Sequence, residues 1–403
     1  MSKLFILGIA EPILSAEQES ILAACTLVVG TKRLIESAAH LPCRFMAITP
    51  LAAALATIRT VLEEGNVGVL ASGDPLFYGI GRRLLAEFPE DTVQVYPALS
   101  SIQRACALFK IPWDGAKITS LHGRNSGHIP GLLLRNSKNL VLTDTHNSPD
   151  RIAFRLLDYL QLIGATVLPD AITVLVAEDL GLPSQKIFRG TLIEATQQQF
   201  SPLNILCLLV PKTSNTHPYR FGLTEDLIHH SRGLITKNEV RAATLHQLQL
   251  PGEGVLWDIG AGSGSLSIEA ARQNPKLTVY AVEHKKEELE NIKNNIVKFG
   301  CYNIVPVFGR APEVLADLTA PDRVFIGGSS GSLPSIVAFI AKHLPGDGRL
   351  VINGVIKKTV QAAPRLMTEH GFSVTSSVVK ITRTEPNGSI RDFNPITIMT
   401  GTR

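Results

Sequence analysis

The chain has 403 residues, more than one hydrophobic core serves, so two domains or more are expected. Hydrophobic residues make up 45% and charged residues 18%, which excludes a disordered chain and reads as a soluble globular protein. The net charge of +4 suits an anionic small molecule and is too weak to argue for nucleic acid; five scattered cysteines without a C-x-x-C argue against a zinc site or disulfide framework and fit the cytoplasm.

The start, MSKLFILGIAEPIL, is too short in its apolar run for a signal peptide, and Lys3–Gly8 reads as a first strand. Ser15–Ala24 is helical, with Ser15 as N-cap and Gln18 three residues on. Strands at Leu27–Gly30, Val67–Leu70 and Thr92–Val95 alternate with helices at Leu51–Glu64, Gly81–Phe88 and from Ser101 to Phe109. Further strands are expected at Leu140–Thr143, Ile172–Ala177 and Asn204–Val210, with a helix over Pro149–Leu162. Such alternation means parallel sheet with helical crossovers. Residues 211–220 are polar, carry two prolines and lack apolar periodicity, so they read as a linker. The domains expected are therefore 1–210 and 221–403.

Beyond the linker, a helix over Lys237–Leu248 leads to a strand at Val255–Ile259. Asp258 and the loop Gly260-Ala261-Gly262-Ser263-Gly264 follow, then a helix with Leu266, Ile268, Ala270 and Ala271. Strand, glycine loop and helix N-terminus in that order cradle a nucleotide-like ligand, because glycine lets backbone approach and the helix end offers free N–H groups. The spacing G-x-G-x-G resembles the first motif of class I S-adenosylmethionine-dependent methyltransferases. Glu283 ends the next strand, Thr278–Val282, where a carboxylate can hold ribose hydroxyls. His284–Phe299 is a charged helix with an inward stripe of Leu289, Ile292, Ile296 and Phe299. Strands at Ile304–Val307, Arg323–Ile326 and Arg349–Ile352, a helix at Leu333–His343, and a closing pair at Ser373–Thr382 and Pro395–Met399 complete a doubly wound sheet.

The third of these strands ends at Gly309-Arg310-Ala311-Pro312, the corner expected to meet adenine through the backbone of Ala311. The fourth ends at Gly327-Gly328-Ser329-Ser330-Gly331, without the Asn/Asp-Pro-Pro-aromatic element of exocyclic-amine methylation. A glycine edge leaves room for a broad, flat substrate. Upstream, His230, Arg232, Lys237 and Arg241 form a basic cluster suited to substrate carboxylates, with a solvated charged face as the plain alternative.

In the N-terminal half, Ser72-Gly73-Asp74-Pro75 with Phe77-Tyr78-Gly79 is a rigid turn at a strand end, and Ser100-Ser101-Ile102 opens a helix after the next strand. These segments, with Ala98-Leu99-Ser100-Ser101, Leu142-Thr143-Asp144, Asn147-Ser148-Pro149 and Glu178-Asp179-Leu180-Gly181, resemble the class III tetrapyrrole methylases, nearest those of the cobalamin pathway that act on carbon 5. The C-terminal half, from Phe221-Gly222-Leu223 through Ile235-Thr236-Lys237, Glu239-Val240-Arg241 and Phe325-Ile326-Gly327-Gly328, resembles the methyltransferases that modify carbon 15 and decarboxylate an acetate side chain. Fused in this order the halves resemble the bifunctional C(5,15)-methylating, decarboxylating enzymes of corrin ring synthesis. Two departures stand out: Gly8-Ile9-Ala10 replaces the family's Gly-x-Gly, and Ser329-Ser330 interrupts a glycine-rich run.

The resemblance implies a two-lobed tetrapyrrole methylase domain followed by a Rossmann-like class I methyltransferase domain, α/β throughout. It implies S-adenosyl-L-methionine at two sites: Ile9, Asp74, Phe77, Ser101 and Ile102 in the first domain; Thr236, Gly260, Ala261, Gly262, Ser263, Gly264, Glu283 and Ala311 in the second. The implied partner is a precorrin tetrapyrrole, with no nucleic acid, membrane or metal, and a homo-oligomer by analogy. The chemistry asks for no catalytic triad, and the sequence shows none. A fused methyltransferase for another substrate such as RNA, or a non-catalytic S-adenosylmethionine sensor, are the alternatives.

Overall fold

A computed structural model describes residues 2–11, 13–122, 127–211, 221–233 and 235–403. The expected linker, apart from Pro211, lies outside these residues. The chain divides into two compact units. Unit 1 comprises 1–125, 138–151 and 173–209; unit 2 comprises 126–137, 152–172 and 210–403.

Unit 1 holds two five-stranded sheets. The first contains β1 (Leu4–Ile9), β2 (Leu27–Gly30), β3 (Arg44–Ala47), β4 (Val67–Ser72) and β5 (Val93–Tyr96), in the order β3-β2-β4-β1-β5 with all pairs parallel. β1 and β4 are buried almost throughout, as central parallel strands covered by helices on both faces must be. The second sheet contains β6 (Lys117–Ser120), β7 (Lys138–Leu142), β8 (Thr173–Glu178), β9 (Lys186–Gly190) and β10 (Asn204–Leu209), in the mixed order β6-β7-β10-β8-β9. The helix expected from Ser15 runs over Ala16–Ala23, and Ser15 and Gln18 form the capping box. The same device, Ser100 with Gln103, starts the helix Ser101–Phe109.

The main sheet of unit 2 contains β11 (Gly254–Ile259), β12 (Leu277–Glu283), β13 (Ile304–Phe308), β14 (Arg323–Ile326), β15 (Arg349–Gly354), β16 (Ser373–Val379) and β19 (Ile396–Thr402). A separate hairpin is formed by β17 (Thr382–Thr384) and β18 (Ile390–Asp392). The main order is β13-β12-β11-β14-β15-β19-β16, parallel except for β19, which is antiparallel to both neighbours. The chain leaves β11 toward β12 on one side and returns to β14 on the other, so a switch point lies at the carboxyl end of β11, where open α/β sheets bind ligands. The helix Lys286–Phe299 buries Leu289, Ile292, Ile296 and Phe299, the stripe its sequence presents. The expected single strand Ser373–Thr382 is instead β16 followed by the hairpin, because Ile381 turns into the core and the chain reverses after it.

Also in unit 2, the His128 ring donates to the carbonyl of Tyr302 at 2.9 Å, and burial pushes its imidazole down to about 4 against that hydrogen bond, keeping it neutral. The Tyr159 hydroxyl donates to the carbonyl of Ile304 at 2.7 Å. Cys25, Cys106, Cys207 and Cys301 are buried free thiols, and Cys43 is half-buried.

Candidate functional site

The glycine loop of unit 2 is built by backbone. Gly260, Gly262 and Gly264 all have positive φ, at +68°, +55° and +73°. A side chain at Gly260 would strike the carbonyl oxygen of Gly328 at 2.4 Å, so this residue lets the ends of β11 and β14 close on each other. At Gly262 a Cβ would meet no atom within 4 Å, so the middle of the loop faces open space. The Gly260 and Ala261 N–H groups donate to the carbonyl of Val282 at 2.9 and 3.1 Å. Ser263 is buried, and Gly264 leads into the helix Ser265–Gln273.

Glu283 ties the loop to the end of β12. Its Oε2 accepts the Gly262 N–H at 2.9 Å, and its Oε1 accepts the His284 and Lys285 N–H groups, each at 2.9 Å. Oε2 keeps a lone pair, so the carboxylate is both buried and able to take a hydroxyl. Behind the loop, Asp258 is fully buried. Its Oδ2 accepts the Ser267 hydroxyl at 2.5 Å, while Oδ1 has no hydrogen-bond partner among the described residues. Burial pushes the Asp258 carboxyl up to about 7, with the charge of Glu283 adding to the rise and the Ser267 hydrogen bonds opposing it.

A narrow cleft of about 20 Å³ lies between Gly260, Val282, His284, Ala311 and Gly328, with room for about one water. Ala311 stands on the wall of this cleft.

The basic cluster needs correction. Arg241 is buried, not presented to a ligand: its guanidinium donates to the carbonyls of Leu223 and Thr236 and faces the Glu269 carboxylate at 3.5 Å. Glu269 also accepts the Leu223 N–H at 2.6 Å and the Gly222 N–H at 3.3 Å. Burial pulls both partners toward neutrality, lowering Arg241 and raising Glu269, but a guanidinium stays charged, so this is an ion pair. Lys237 is held by Glu225 at 2.7 Å. Arg232 is exposed and reaches Glu287 only at 3.7 Å. His230 is half-buried, and its Nδ1 has no partner among the described residues. Thr236 is half-buried, immediately before Lys237. The segment is fastened to the glycine loop: Asn295 accepts the His229 N–H at 2.8 Å and donates to the Ser263 carbonyl at 3.0 Å.

Unit 1 carries a much larger cavity, about 760 Å³, at the carboxyl ends of β1 and β4. Gly8 lets the Gly73 turn close on the end of β1, because a Cβ there would strike the Gly73 carbonyl oxygen at 2.2 Å. Of the expected residues, Ile9 and Ser101 line the wall. Asp74, Phe77 and Ile102 adjoin the lining residues Gly73, Tyr78 and Ser101 in sequence. Asp74 spends a carboxylate oxygen on the Leu76 N–H at 2.8 Å; Phe77 packs into the cluster of Ile102, Cys106 and Phe109; Ile102 is buried on its helix and offers only backbone.

The sequence reading passed over the charged wall. Arg33 donates to the Ser72 hydroxyl at 3.3 Å, and Arg104 pairs with Glu11 at 3.0 Å. His122 Nδ1 lies 3.2 Å from the Thr143 carbonyl, so that nitrogen carries the proton. Exposed Tyr78, Leu99 and Leu203 supply apolar surface on the same wall. Tyr78 and Leu99 fall within turn segments that the sequence marks, whereas Arg33, Arg104, His122 and Leu203 sit in no local motif. The donor sets fit the expected cofactor: glycine backbone and an acid in unit 2, a strand-end glycine turn and Ser101 in unit 1.

Comparison with known proteins places both halves. Residues 13–196 match the family of Tetrapyrrole (Corrin/Porphyrin) Methylases, and residues 227–402 match the Precorrin methyltransferase domain. A Precorrin-6Y C(5,15)-methyltransferase [decarboxylating] from Sinorhizobium sp is 30% identical over 401 residues, covering 97% of this chain and 94% of that protein. A Cobalt-precorrin-6B C(15)-methyltransferase (decarboxylating) from Salmonella typhimurium is 35% identical over 162 residues, covering 40% of this chain and 83% of its own. The crystal structure of a Precorrin-6y C5,15-methyltransferase from Geobacter metallireducens is 38% identical and covers 46% of this chain and 98% of that one, with a TM-score of 0.45. Likeness along nearly the whole length, and not in one half alone, makes the chain a member of the precorrin-6Y C(5,15)-methyltransferase (decarboxylating) family.

Proposed function

We propose that this chain transfers two methyl groups from S-adenosylmethionine to a precorrin, at carbon 5 in the N-terminal half and at carbon 15 in the C-terminal half, and removes carbon dioxide from an acetate side chain during corrin ring synthesis. The observation that carries this is one cradle at the carboxyl ends of parallel strands in each unit, the Gly8–Gly73 turn and the Gly260–Gly264 loop. The names of the relatives support the substrate class and the decarboxylation.

Bound at these cradles, S-adenosylmethionine supplies an activated methyl on a sulfonium. In unit 2, Glu283 would accept a ribose hydroxyl on Oε2, and the open face at Gly262 would admit the cofactor. In unit 1, the apolar Tyr78, Leu99 and Leu203 cover the flat macrocycle, while Arg33 and Arg104 face its carboxylate rim. What these residues contribute is alignment of carbon, methyl and sulfur in a site with little water. The hydrogen replaced at each carbon leaves as a proton, and the electron pair released by decarboxylation passes into the macrocycle. The mild net charge and the missing amine-methylation element favour a tetrapyrrole over RNA. We read the chain as a cytoplasmic homo-oligomer; among the described residues no helix is long and apolar enough to cross a membrane.

Calorimetric titration with S-adenosylmethionine should give two sites per chain. Incubation with labelled cofactor and precorrin-6Y should transfer two methyls and release one carbon dioxide. Binding without transfer would make the chain a sensor and end this reading.

A further inference from the structure

The β17–β18 hairpin breaks local rules in a consistent way. A two-stranded ribbon this short is not stable by itself in water, yet it stands apart from the main sheet. Its register sets Arg383 directly opposite Arg391, and like charges across a strand pair destabilise it. Both guanidiniums lie over one ring, Phe393, at 5.0 and 4.9 Å from its centroid, and Lys237 lies 5.3 Å from the same centroid.

Three cations therefore share one aromatic platform, with two carboxylates to neutralise them. Glu225 accepts from Lys237 at 2.7 Å and from Arg383 at 2.6 Å; Glu239 accepts from Arg383 at 2.7 Å. Burial alone would push the Glu225 carboxyl up, but the hydrogen bonds of Lys237 and Arg383 outweigh it and hold it below its ordinary value. Arg391 receives neither acid. The neighbouring carboxylate, Asp392, is taken by the Thr382 hydroxyl at 2.5 Å. Among the described residues Arg391 has no acidic partner, and it is exposed.

A surplus cation on an ordered ring has a definite location. Glu225 and Glu239, to which Arg383 is clamped, flank Thr236 in sequence, and the chain between them is tied to Ser263 of the glycine loop through Asn295. The hairpin thus borders the segment that runs past the cofactor cradle. A fixed, unpaired guanidinium with a planar fork is the group that recognises a carboxylate.

We propose that Arg391 binds a peripheral carboxylate of the tetrapyrrole at the C-terminal site, and that Arg383 and Phe393 position it. This rests on the reading of the C-terminal half as the carbon-15 methylating and decarboxylating site. It also relocates the carboxylate-binding role from Arg241 and Lys237, which internal acids occupy, to a residue near the end of the chain.

The test uses the full-length protein with S-adenosylmethionine and precorrin-6Y, reading carbon dioxide release. Arg391→Gln should raise the KM for the tetrapyrrole at least about tenfold, the loss expected of one charged hydrogen bond. The kcat and the affinity for S-adenosylmethionine should stay within about twofold. Arg391→Lys should recover only part of the loss, because an ammonium lacks the fork. Added salt should raise KM more steeply in the wild type than in Arg391→Gln. A KM within about twofold of wild type, with the same salt dependence, overturns the proposal. Wild-type protein that transfers no methyl and releases no carbon dioxide overturns the functional reading first, and this inference with it.

Discussion

Single residues in the cofactor loop have separable jobs. A Cβ at position 260 meets backbone of the adjoining strand end, whereas one at 262 meets nothing. Both positions also carry a positive φ that costs a side chain about 1 kcal/mol. Gly260→Ala should therefore lower both stability and cofactor affinity in unit 2, and a titration should find one site per chain in place of two. Gly262→Ala should lose cofactor affinity with a stability loss limited to the roughly 1 kcal/mol of its positive φ, since its methyl strikes no protein atom. Equal stability losses in the two variants would refute this division. Asp258 gives a pH signature. Its folded pKa of about 7 exceeds the ordinary 3.8, so between those values the folded chain keeps a proton the unfolded chain has lost. Stability contributed by this group is present below about pH 4, declines as pH rises, and is level above about pH 7. Three pH units correspond to at most about 4 kcal/mol. Urea unfolding of Asp258→Asn and wild type across this range should show the variant gaining relative stability at the higher pH; a constant gap would mean Asp258 titrates normally.

At the scale of elements, the helix Ser265–Gln273 is more than a support for the loop before it. Glu269 gathers the Leu223 and Gly222 N–H groups and the Arg241 guanidinium, binding a distant segment to the cofactor helix. Glu269→Ala leaves the buried Arg241 cation without its acid and the Leu223 and Gly222 N–H groups without their acceptor, which should cost roughly 3–5 kcal/mol in urea unfolding; a loss below about 1 kcal/mol would show that water replaces the acid. Such partnerships explain what one sequence discloses. The glycine loop and the Ser15 and Ser100 caps are local patterns, so their elements stand where the sequence puts them. The partners of Arg241 and Lys237 lie at Glu269 and at Glu225 with Arg383, beyond any local pattern, and the cluster read as free cations. β3 and β9 escaped notice for another reason: as half-exposed edge strands, RFMA and KIFRG carry no sustained apolar run. The hairpin is exposed along nearly its whole length and has no periodicity to detect.

Across the whole molecule, compactness does not follow chain order. Residues 152–172 precede β8 in sequence yet belong to unit 2, where Tyr159 satisfies the carbonyl of Ile304 at the start of the edge strand β13. Tyr159→Phe should quicken amide hydrogen exchange over β13 and leave β8 unchanged; a change confined to β8 would assign this helix to unit 1 after all. The buried thiols bear on the same division. Burial pushes Cys25, Cys207 and Cys301 up to about 12 and raises Cys106 and Cys43 as well. At neutral pH almost no thiolate is available for alkylation in the folded chain. Four of the five thiols belong to unit 1, at positions 25, 43, 106 and 207, and one to unit 2, at 301. The protein thus carries a built-in recorder of its own opening: the order in which an alkylating reagent marks these cysteines under mild denaturant tells which unit lets go first.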